Sequence, residues 1–382
     1  MTSAIVVGGG IIGAATAFRL AERGVQVTLL EANTIASGTS STSFAWMNSN
    51  NKSPESYHRL NVAGMHAHRA LRDEFGEAPW LVTEGNLIWD ESAFAADANA
   101  EIDVPVKSET LDAKIARLQG WDYPLEVLGR EDIARRLPEL RLPETLHRAL
   151  FFPSEGYLDV PFLIASLLQR ASALGATIRE HTPVAGFVRA GSRVTGVMTA
   201  SGERVEADHV IIASGRWTDQ VTALLGEDVT IPMSPTRGLL VTTSKVASTL
   251  RSLVHTPRVN IRRDGGSRFL LANFDIDALL TPETTPTELA TLSDRVLRAA
   301  QEIFPALASA TVATQVVGIR SIPAASFPAV GTLPDTEGVY VIATHSGVTM
   351  GPLLGQLGTR ELLDGTREDL LAPFRPERLI AH

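Results

Sequence analysis

The chain has 382 residues, enough for two domains with well-buried cores, and its 44% hydrophobic and 20% charged content is that of an ordinary globular protein. A formal net charge of −9 with no basic cluster argues against a nucleic-acid partner, and the absence of cysteine excludes disulfides, thiolate metal sites and a cysteinyl link to a cofactor. No leader-like basic and apolar regions precede the first apolar run, and the uncharged stretch Ala4 to Phe18 is glycine-broken and too short to cross a bilayer. The chain therefore reads as cytoplasmic, with no integral membrane segment.

The first thirty-one residues organise the rest of the chain. Ala4 to Val7 is a short apolar run suited to a buried strand, and Gly8, Gly10 and Gly13 occupy the glycine positions of Gly-x-Gly-x-x-Gly. A helix is predicted from Ala14 to Arg23, stopped by Gly24, and a second strand from Val25 to Leu30 ends on Glu31. The first glycine permits a tight turn, the second a close approach of backbone to pyrophosphate, and the third close packing of helix on strand. The helix start turns N–H groups and a positive dipole end toward the phosphate. Glu31, eighteen residues after Gly13, stands where a carboxylate accepts from ribose hydroxyls. Strand, glycines, helix, strand and acid in register mark a dinucleotide site.

The Ser37 to Ser43 run, rich in hydroxyls, reads as a loop laid against cofactor phosphates and polyol. Ser53 and Pro54 suit the N-cap and first position of a helix to about Phe75. Trp80 to Trp89 reads as a strand interrupted at Gly85, and 109–118 and 130–137 as charged helices. A turn at Gly156 to Asp159 leads into an apolar helix from Phe162 to Leu174. Strands follow at 177–179, 184–188 and 194–199, and then at 207–213, which runs into the small turn at Ser214 and Gly215. That last strand suits a place beside the first in a doubly wound sheet. From Pro232 to Ala313 the pattern is an antiparallel sheet, with strands at 237–241 and 267–271, covered by a helix over 287–304. Chemistry returns in Gly318-Ile319-Arg320, in the strand 338–343, and in the loop Thr344 to Gly347 before a helix from about Pro352 to Leu363.

Distributed in this order, the motifs resemble the D-amino-acid oxidase, glycine oxidase and sarcosine oxidase family of FAD enzymes. The likeness runs through Gly8 to Gly13 with Glu31, Ser37 to Ser43, Gly156 to Asp159, Val210 to Trp217, Arg237-Gly238, Gly318 to Gly331 and His345 to Gly347. It implies an α/β plus antiparallel-β fold: a Rossmann-like FAD-binding domain (1–82, 147–230 and 315–382) with a discontinuous substrate domain (83–146 and 231–314). It implies non-covalent FAD held by Gly8, Gly10, Ile11, Ile12 and Gly13 at the pyrophosphate, by Glu31 and Ala32 at the adenosine ribose, and by Ser37, Ser40 and Ser41 along the cofactor. Val184 resembles the adenine-side strand residue. Ser214, Gly215 and Trp217 resemble the strand end beside the dinucleotide, and Gly347, Val348 and Thr349 the backbone at the flavin pyrimidine. Arg320 resembles the arginine that takes the substrate carboxylate in a fork. Trp46 and Asn48 stand close behind the serine loop.

Departures from the family pattern fall on the substrate side. Ser321, Ala325 and Ser326 stand where the family carries proline and Asp-Gly, and Gly318 stands near the flavin-linked cysteine of the sarcosine-oxidase branch. None of the four tyrosines lies between 158 and 339, where amino-acid oxidases of the group hold substrate. His255, Arg258, Asn260 and Arg262 are substitute candidates, with Asn48 and His345; Arg320, His345 and Asn48 are the residues assigned to catalysis. The resemblance implies oxidation of the C–N bond of an amino acid or secondary amine bearing a carboxylate, by hydride transfer to flavin N5 and later imine hydrolysis, with oxygen or an electron-acceptor partner taking the electrons. One alternative is a cyclic imino-acid dehydrogenase that serves a quinone or partner protein; another is a non-catalytic FAD-binding subunit of a hetero-oligomer.

Overall fold

A computed structural model describes residues 1–89 and 109–380. The Ala-Ile-Val-Val run forms β1 (Ser3–Val7), flanked on both sides by parallel strands, β2 (Gln26–Leu30) and His209–Ile212. A fully apolar run suits that position, because a central parallel strand is buried on both faces. Thr177–Arg179, β2, β1, His209–Ile212 and Thr336–Ala343 run side by side, all parallel, within a nine-stranded sheet. The hairpin of Val184–Ala190 and Arg193–Thr199 extends it beyond Thr336–Ala343.

Helix α1 (Ile11–Glu22) starts three residues before the expected Ala14. Gly10 is extended as its N-cap, and the Ile11 N–H donates to Ser40 Oγ at 3.1 Å, which engages one of the free N–H groups of the first turn. Gly8 has φ +113°, and a Cβ on Gly13 would lie 1.9 Å from the Gly8 carbonyl oxygen. Only glycine serves at either position.

Among the described residues the second sheet has eight strands, drawn from two stretches of chain. Glu126–Gly129, Arg148–Phe152 and Asn86–Ile88 come from the first, and Leu253–His255, Asn260–Arg263, Phe269–Ala272, Arg237–Thr243 and Val312–Ile319 from the second. The stretches meet where Asn86–Ile88 pairs parallel with Leu253–His255. Helix Pro286–Ile303, closed by a Thr285/Glu288 capping box, buries Val296 and Ala300 against it. Trp80 to Trp89 is not one strand: Leu81–Val82 joins a small sheet with Trp46–Met47 and Gly156–Leu158, and Asn86–Ile88 joins the large one. Gly85, at φ +81°, turns between them with the Phe151 ring 2.1 Å from where its Cβ would be.

Other helix starts differ from expectation as well. Pro54, not Ser53, is the N-cap of Glu55–Phe75. The last helix is Gly347–Asp364 and takes Pro352 inside it. Proline removes the N–H that would bond the Val348 carbonyl. His68 replaces that donor from the neighbouring helix, with Nε2 2.8 Å from Val348 O. Gly347, Gly351 and Gly355, one turn apart, let the last helix press on α1. A Cβ at Gly351 would lie 2.9 Å from Ile11 Cγ1, and one at Gly355 2.7 Å from the Ala15 carbonyl carbon. The starts of the two helices are thereby set side by side. Gly355→Ala should lower stability by about 1–3 kcal/mol in urea unfolding, since its methyl meets backbone that cannot rotate away. Gly120→Ala, with nothing within 4 Å of its Cβ position, should stay within about 0.5 kcal/mol of the parent.

Candidate active site

The C-terminal ends of the parallel strands collect the residues expected to meet a dinucleotide. Glu31 Oε2 accepts from the Gly9 N–H at 2.7 Å and Oε1 from the Asn33 N–H at 2.8 Å. Each ionised oxygen keeps a second lone pair, enough to receive ribose hydroxyls. The Thr182 N–H donates to Glu31 O at 2.8 Å and the His181 N–H to Asn33 O at 2.9 Å, which brings the chain just before Val184 alongside the acid. Ala213 and Ser214 press on Gly8, whose Cβ would lie 2.5 Å from Ala213 O; after Gly215, Trp217 packs its ring against Gly38. Ser40 sits at the α1 start, whereas Ala32, Ser37 and Ser41 are exposed, Ser41 Oγ donating to Gly38 O at 3.1 Å. The Ile11 and Ile12 side chains are buried against Gly347, so only their backbone N–H groups are offered to a phosphate.

Beyond this cradle lies a cavity of about 250 Å³ lined by residues of the second large sheet, of the small sheet at Trp46 and of the last helix. All three residues assigned to catalysis line it, together with Val348 and Thr349. Arg320 follows the strand Val312–Ile319. Its Nη2 is 2.5 Å from Asp277 Oδ2, and its Nη1 donates to Arg237 O at 2.8 Å. Asp277 is buried and also accepts from the Leu239 N–H at 2.7 Å. Gly238 is required here, for its Cβ would lie 2.8 Å from Arg320 Nη2. Asn48 donates through Nδ2 to Trp46 O at 3.3 Å, and its Oδ1 is buried without a hydrogen-bond donor. His345 is held down to a pKa of about 3, first by burial and then by the charges of Lys52 and Arg320, so its ring is neutral. Tyr57 OH and Ser346 Oγ share a hydrogen bond of 2.7 Å just before the last helix.

The wall carrying Trp46 and Asn48 is wrapped around a buried carboxylate, Glu155. Its oxygens accept from Trp46 Nε1 (3.1 Å), the Ser49 and Asn50 N–H groups (both 3.1 Å), Asn50 Nδ2 (2.9 and 2.8 Å), Asn86 Nδ2 (2.9 Å) and Tyr123 OH (2.7 Å). Every one of these contacts is a donation to the carboxylate oxygens. Burial and the Glu155 charge together push the Tyr123 hydroxyl well above its ordinary pKa. Asn86 Oδ1 receives the Nδ1–H of His255 at 2.7 Å, and the His255 ring lies 4.0 Å from that of Trp46.

The substitute candidates on the second sheet lie outside the cavity lining. His255 stands behind Trp46, and Arg262 donates to Phe44 O at 2.6 Å from the far side. Arg258 is an exposed partner of Glu302, and Asn260 is buried in its strand. Asp277, Lys52, Tyr57 and Glu155 were not singled out by the sequence, where each is an isolated polar residue with no motif around it.

FAD fits the cradle: two glycines that admit no Cβ, an acid with lone pairs to spare and two adjoining helix starts are all in place. Gly318 also leaves no room for a linking side chain, since its Cβ would lie 2.4 Å from Thr42 O. The class these features define is that of the FAD-dependent oxidoreductases. The chain belongs to the family described as FAD dependent oxidoreductase (DAO), whose model matches residues 3–360. Glycine oxidase of Pseudomonas putida strain KT2440 is 30% identical over 395 residues, covering 98% of each chain. The 4-methylaminobutanoate oxidase (formaldehyde-forming) of Paenarthrobacter nicotinovorans is 29% identical over 95% of this chain and 44% of its own length. Among solved structures, L-proline dehydrogenase from P. horikoshii superposes with a TM-score of 0.82 at 21% identity over 99% of this chain and 97% of its own, a likeness of fold. Among the described residues no helix is long and apolar enough to cross a membrane.

Glu155→Gln places an amide NH₂ against a shell of donors and should cost about 2–4 kcal/mol in urea unfolding. Trp46→Phe removes one of those donors and should cost about 1 kcal/mol, with the double variant losing less than the sum. Acid should weaken the fold through its histidines. His68 titrates near 4, and His255 and His345 near 3, all chiefly because of burial. The unfolded chain takes up those protons near pH 6.5, so stability is full above that value. It declines as pH falls toward 4, by up to roughly 1.4 kcal/mol per pH unit for each histidine. Equilibrium unfolding at pH 7.5 and pH 5 should show the loss, and His68→Gln should reduce its slope; an unchanged slope removes His68 from the account.

Proposed function

We propose that the chain oxidises the C–N bond of an amino acid or secondary amine bearing a carboxylate. The observation that carries this reading is Arg320, a cation fixed inside the cavity and facing the start of the last helix. A guanidinium has five N–H donors. One on Nη1 and one on Nη2 are engaged by Arg237 O and Asp277, and the others are left to grip a carboxylate. Glycine and 4-methylaminobutanoate, named in the relatives' activities, are both amines with a carboxylate.

With the carboxylate on Arg320, Asn48 Oδ1 accepts an N–H of the neutral amine and holds its nitrogen lone pair in line with the α-C–H bond that breaks. His345, neutral and buried, adds bulk and keeps water out without adding charge. FAD, when bound, supplies the acceptor for the α-hydrogen, taken as hydride at N5. The N–H groups of Gly347, Val348 and Thr349 at the start of the last helix would hold the flavin pyrimidine edge, and the positive end of that helix would favour electron acceptance there. Glu31 and Ala32 hold the adenosine ribose, Gly8 to Gly13 the pyrophosphate, Ser40 and Ser41 the chain between, and Val184 and Ser214 to Trp217 its flanks. The imine product leaves and hydrolyses in water.

The test is anaerobic addition of pooled D-amino, N-methyl and imino acids to the FAD-loaded protein. Bleaching of the flavin bands is expected, and a flavin that no pool bleaches sinks the proposal. Arg320→Ala should keep FAD and raise the apparent KM for the active carboxylate substrate by at least about thirtyfold, since losing a buried carboxylate partner costs roughly 2–5 kcal/mol. Unchanged steady-state kinetics would take Arg320 out of the binding step.

A further inference from the structure

Beside Arg320 the second sheet turns an apolar face to the catalytic cavity. Along Arg237–Thr243, Leu239 and Val241 belong to the core under the helix Pro286–Ile303, which leaves Gly238 and Leu240 on the opposite face. The Arg320 guanidinium lies on that opposite face too, since a Cβ on Gly238 would stand 2.8 Å from its Nη2. Leu240 is the next residue on this face, about 7 Å further along the strand. Val241 pairs with Leu271, which sets Ala272 beside Leu240. Leu240, Leu270 and Ala272 form a small apolar cluster, with Phe44 packed against it. Leu240, Ala272, Phe44, Phe274 and Trp46 all line the cavity.

Two of these walls are held in place from behind. The buried His255 ring lies 4.0 Å from that of Trp46 and 5.8 Å from that of Phe44. Among the five side chains the one polar atom is Trp46 Nε1, and it is spent on Glu155 at 3.1 Å. A polar or charged substituent placed here would give up water for no partner, whereas an apolar one gains by leaving water. The other cation of the lining, Lys52, stands off this face, on the segment after Trp46–Met47, with Nζ 5.7 Å from the Tyr57 ring centroid.

We infer that the substrate carries an apolar side chain, seated on Leu240, Ala272 and Phe44 while Arg320 holds its carboxylate. Glycine would leave that seat empty. The inference rests on the proposed function and adds the side-chain class, with Leu240 and Ala272 as the residues that set it.

The experiment uses acetate, butanoate, 4-methylpentanoate and glutarate, the carbon skeletons of glycine, 2-aminobutanoate, leucine and glutamate without the amine. Their dissociation constants for the FAD-loaded protein are read at constant ionic strength from flavin difference spectra, and by calorimetry for any acid silent there. Affinity should rise at least about thirtyfold from acetate to 4-methylpentanoate, since each buried methylene is worth about fourfold. Glutarate, which would call on Lys52 as well as Arg320, should bind no better than butanoate. Ala272→Leu fills the seat and Leu240→Asn puts an amide in it, so each should cut the rise at least about tenfold. A flat series overturns the inference, as does glutarate binding tightest or a rise that both variants leave intact. If Leu240→Asn does not fold, Ala272→Leu decides. None of these acids can be oxidised as an amine, so the two failures are distinct: the proposed function falls with a flavin that no amine pool bleaches, and this inference with a flat series.

Discussion

The cavity depends on a buried carboxylate without a cation among its hydrogen-bond partners. Desolvating an isolated carboxylate costs several kcal/mol even after relaxation. Glu155 offsets that with donors from Trp46, Ser49, Asn50, Asn86 and Tyr123. Those donors come from different parts of the fold: Asn86 from the large second sheet, Trp46 from the small one, and Tyr123 from beyond the helix Leu111–Gly120. One charge thus fixes the wall on which Trp46 and Asn48 stand relative to the second sheet. Apolar packing alone would hold these elements together without fixing their register to a hydrogen bond's tolerance.

The opposite wall is placed by different physics. There the constraint is the absence of side chains: Gly347, Gly351 and Gly355 bring the last helix onto α1, and Gly64 brings the helix Glu55–Phe75 onto Thr349, 2.6 Å from its carbonyl oxygen to the missing Cβ. Helices that close place two positive N-terminal ends next to each other, one at the Gly8 to Gly13 turn and one at the cavity. Two such ends repel, and an anionic group held between them, such as the pyrophosphate of a dinucleotide, relieves the repulsion.

What could be read from the sequence divides along the range of the interactions. The unit from Met1 to Glu31 was legible because its glycines, helix and acid act on one another within a single βαβ turn. Arg320, Asn48 and His345 stood out because the family resemblance or a loop position marks them. The start of the last helix did not, because the donor that lets Pro352 sit inside it belongs to His68, far back in the chain. Asp277 and Glu155 were equally hidden: their partners lie 43 and up to 109 residues away. The polar residues of the second sheet misled in the other direction. His255, Arg258 and Arg262 look available in sequence, but each is consumed by a local task, behind Trp46, on Glu302 and on Phe44 O respectively. The tyrosine missing between 158 and 339 has a counterpart on another element, since Tyr57 reaches the cavity from the first long helix.

Arg320 shows what the pairing with Asp277 does for such a site. A long cationic side chain loses much rotamer freedom on gripping a ligand, and that loss weakens binding. Here the freedom is already lost in the folded protein, because Asp277 and Arg237 O hold the two terminal nitrogens and Asp277 is itself anchored by the Leu239 N–H. The same pairing dilutes the positive charge that a carboxylate would meet. Under the proposed function the guanidinium would act through its orientation more than through its charge, since a carboxylate set in one place would fix the α-carbon beside it. Glycine at 238 is the backbone counterpart of this arrangement, since any side chain there would displace the guanidinium from Asp277.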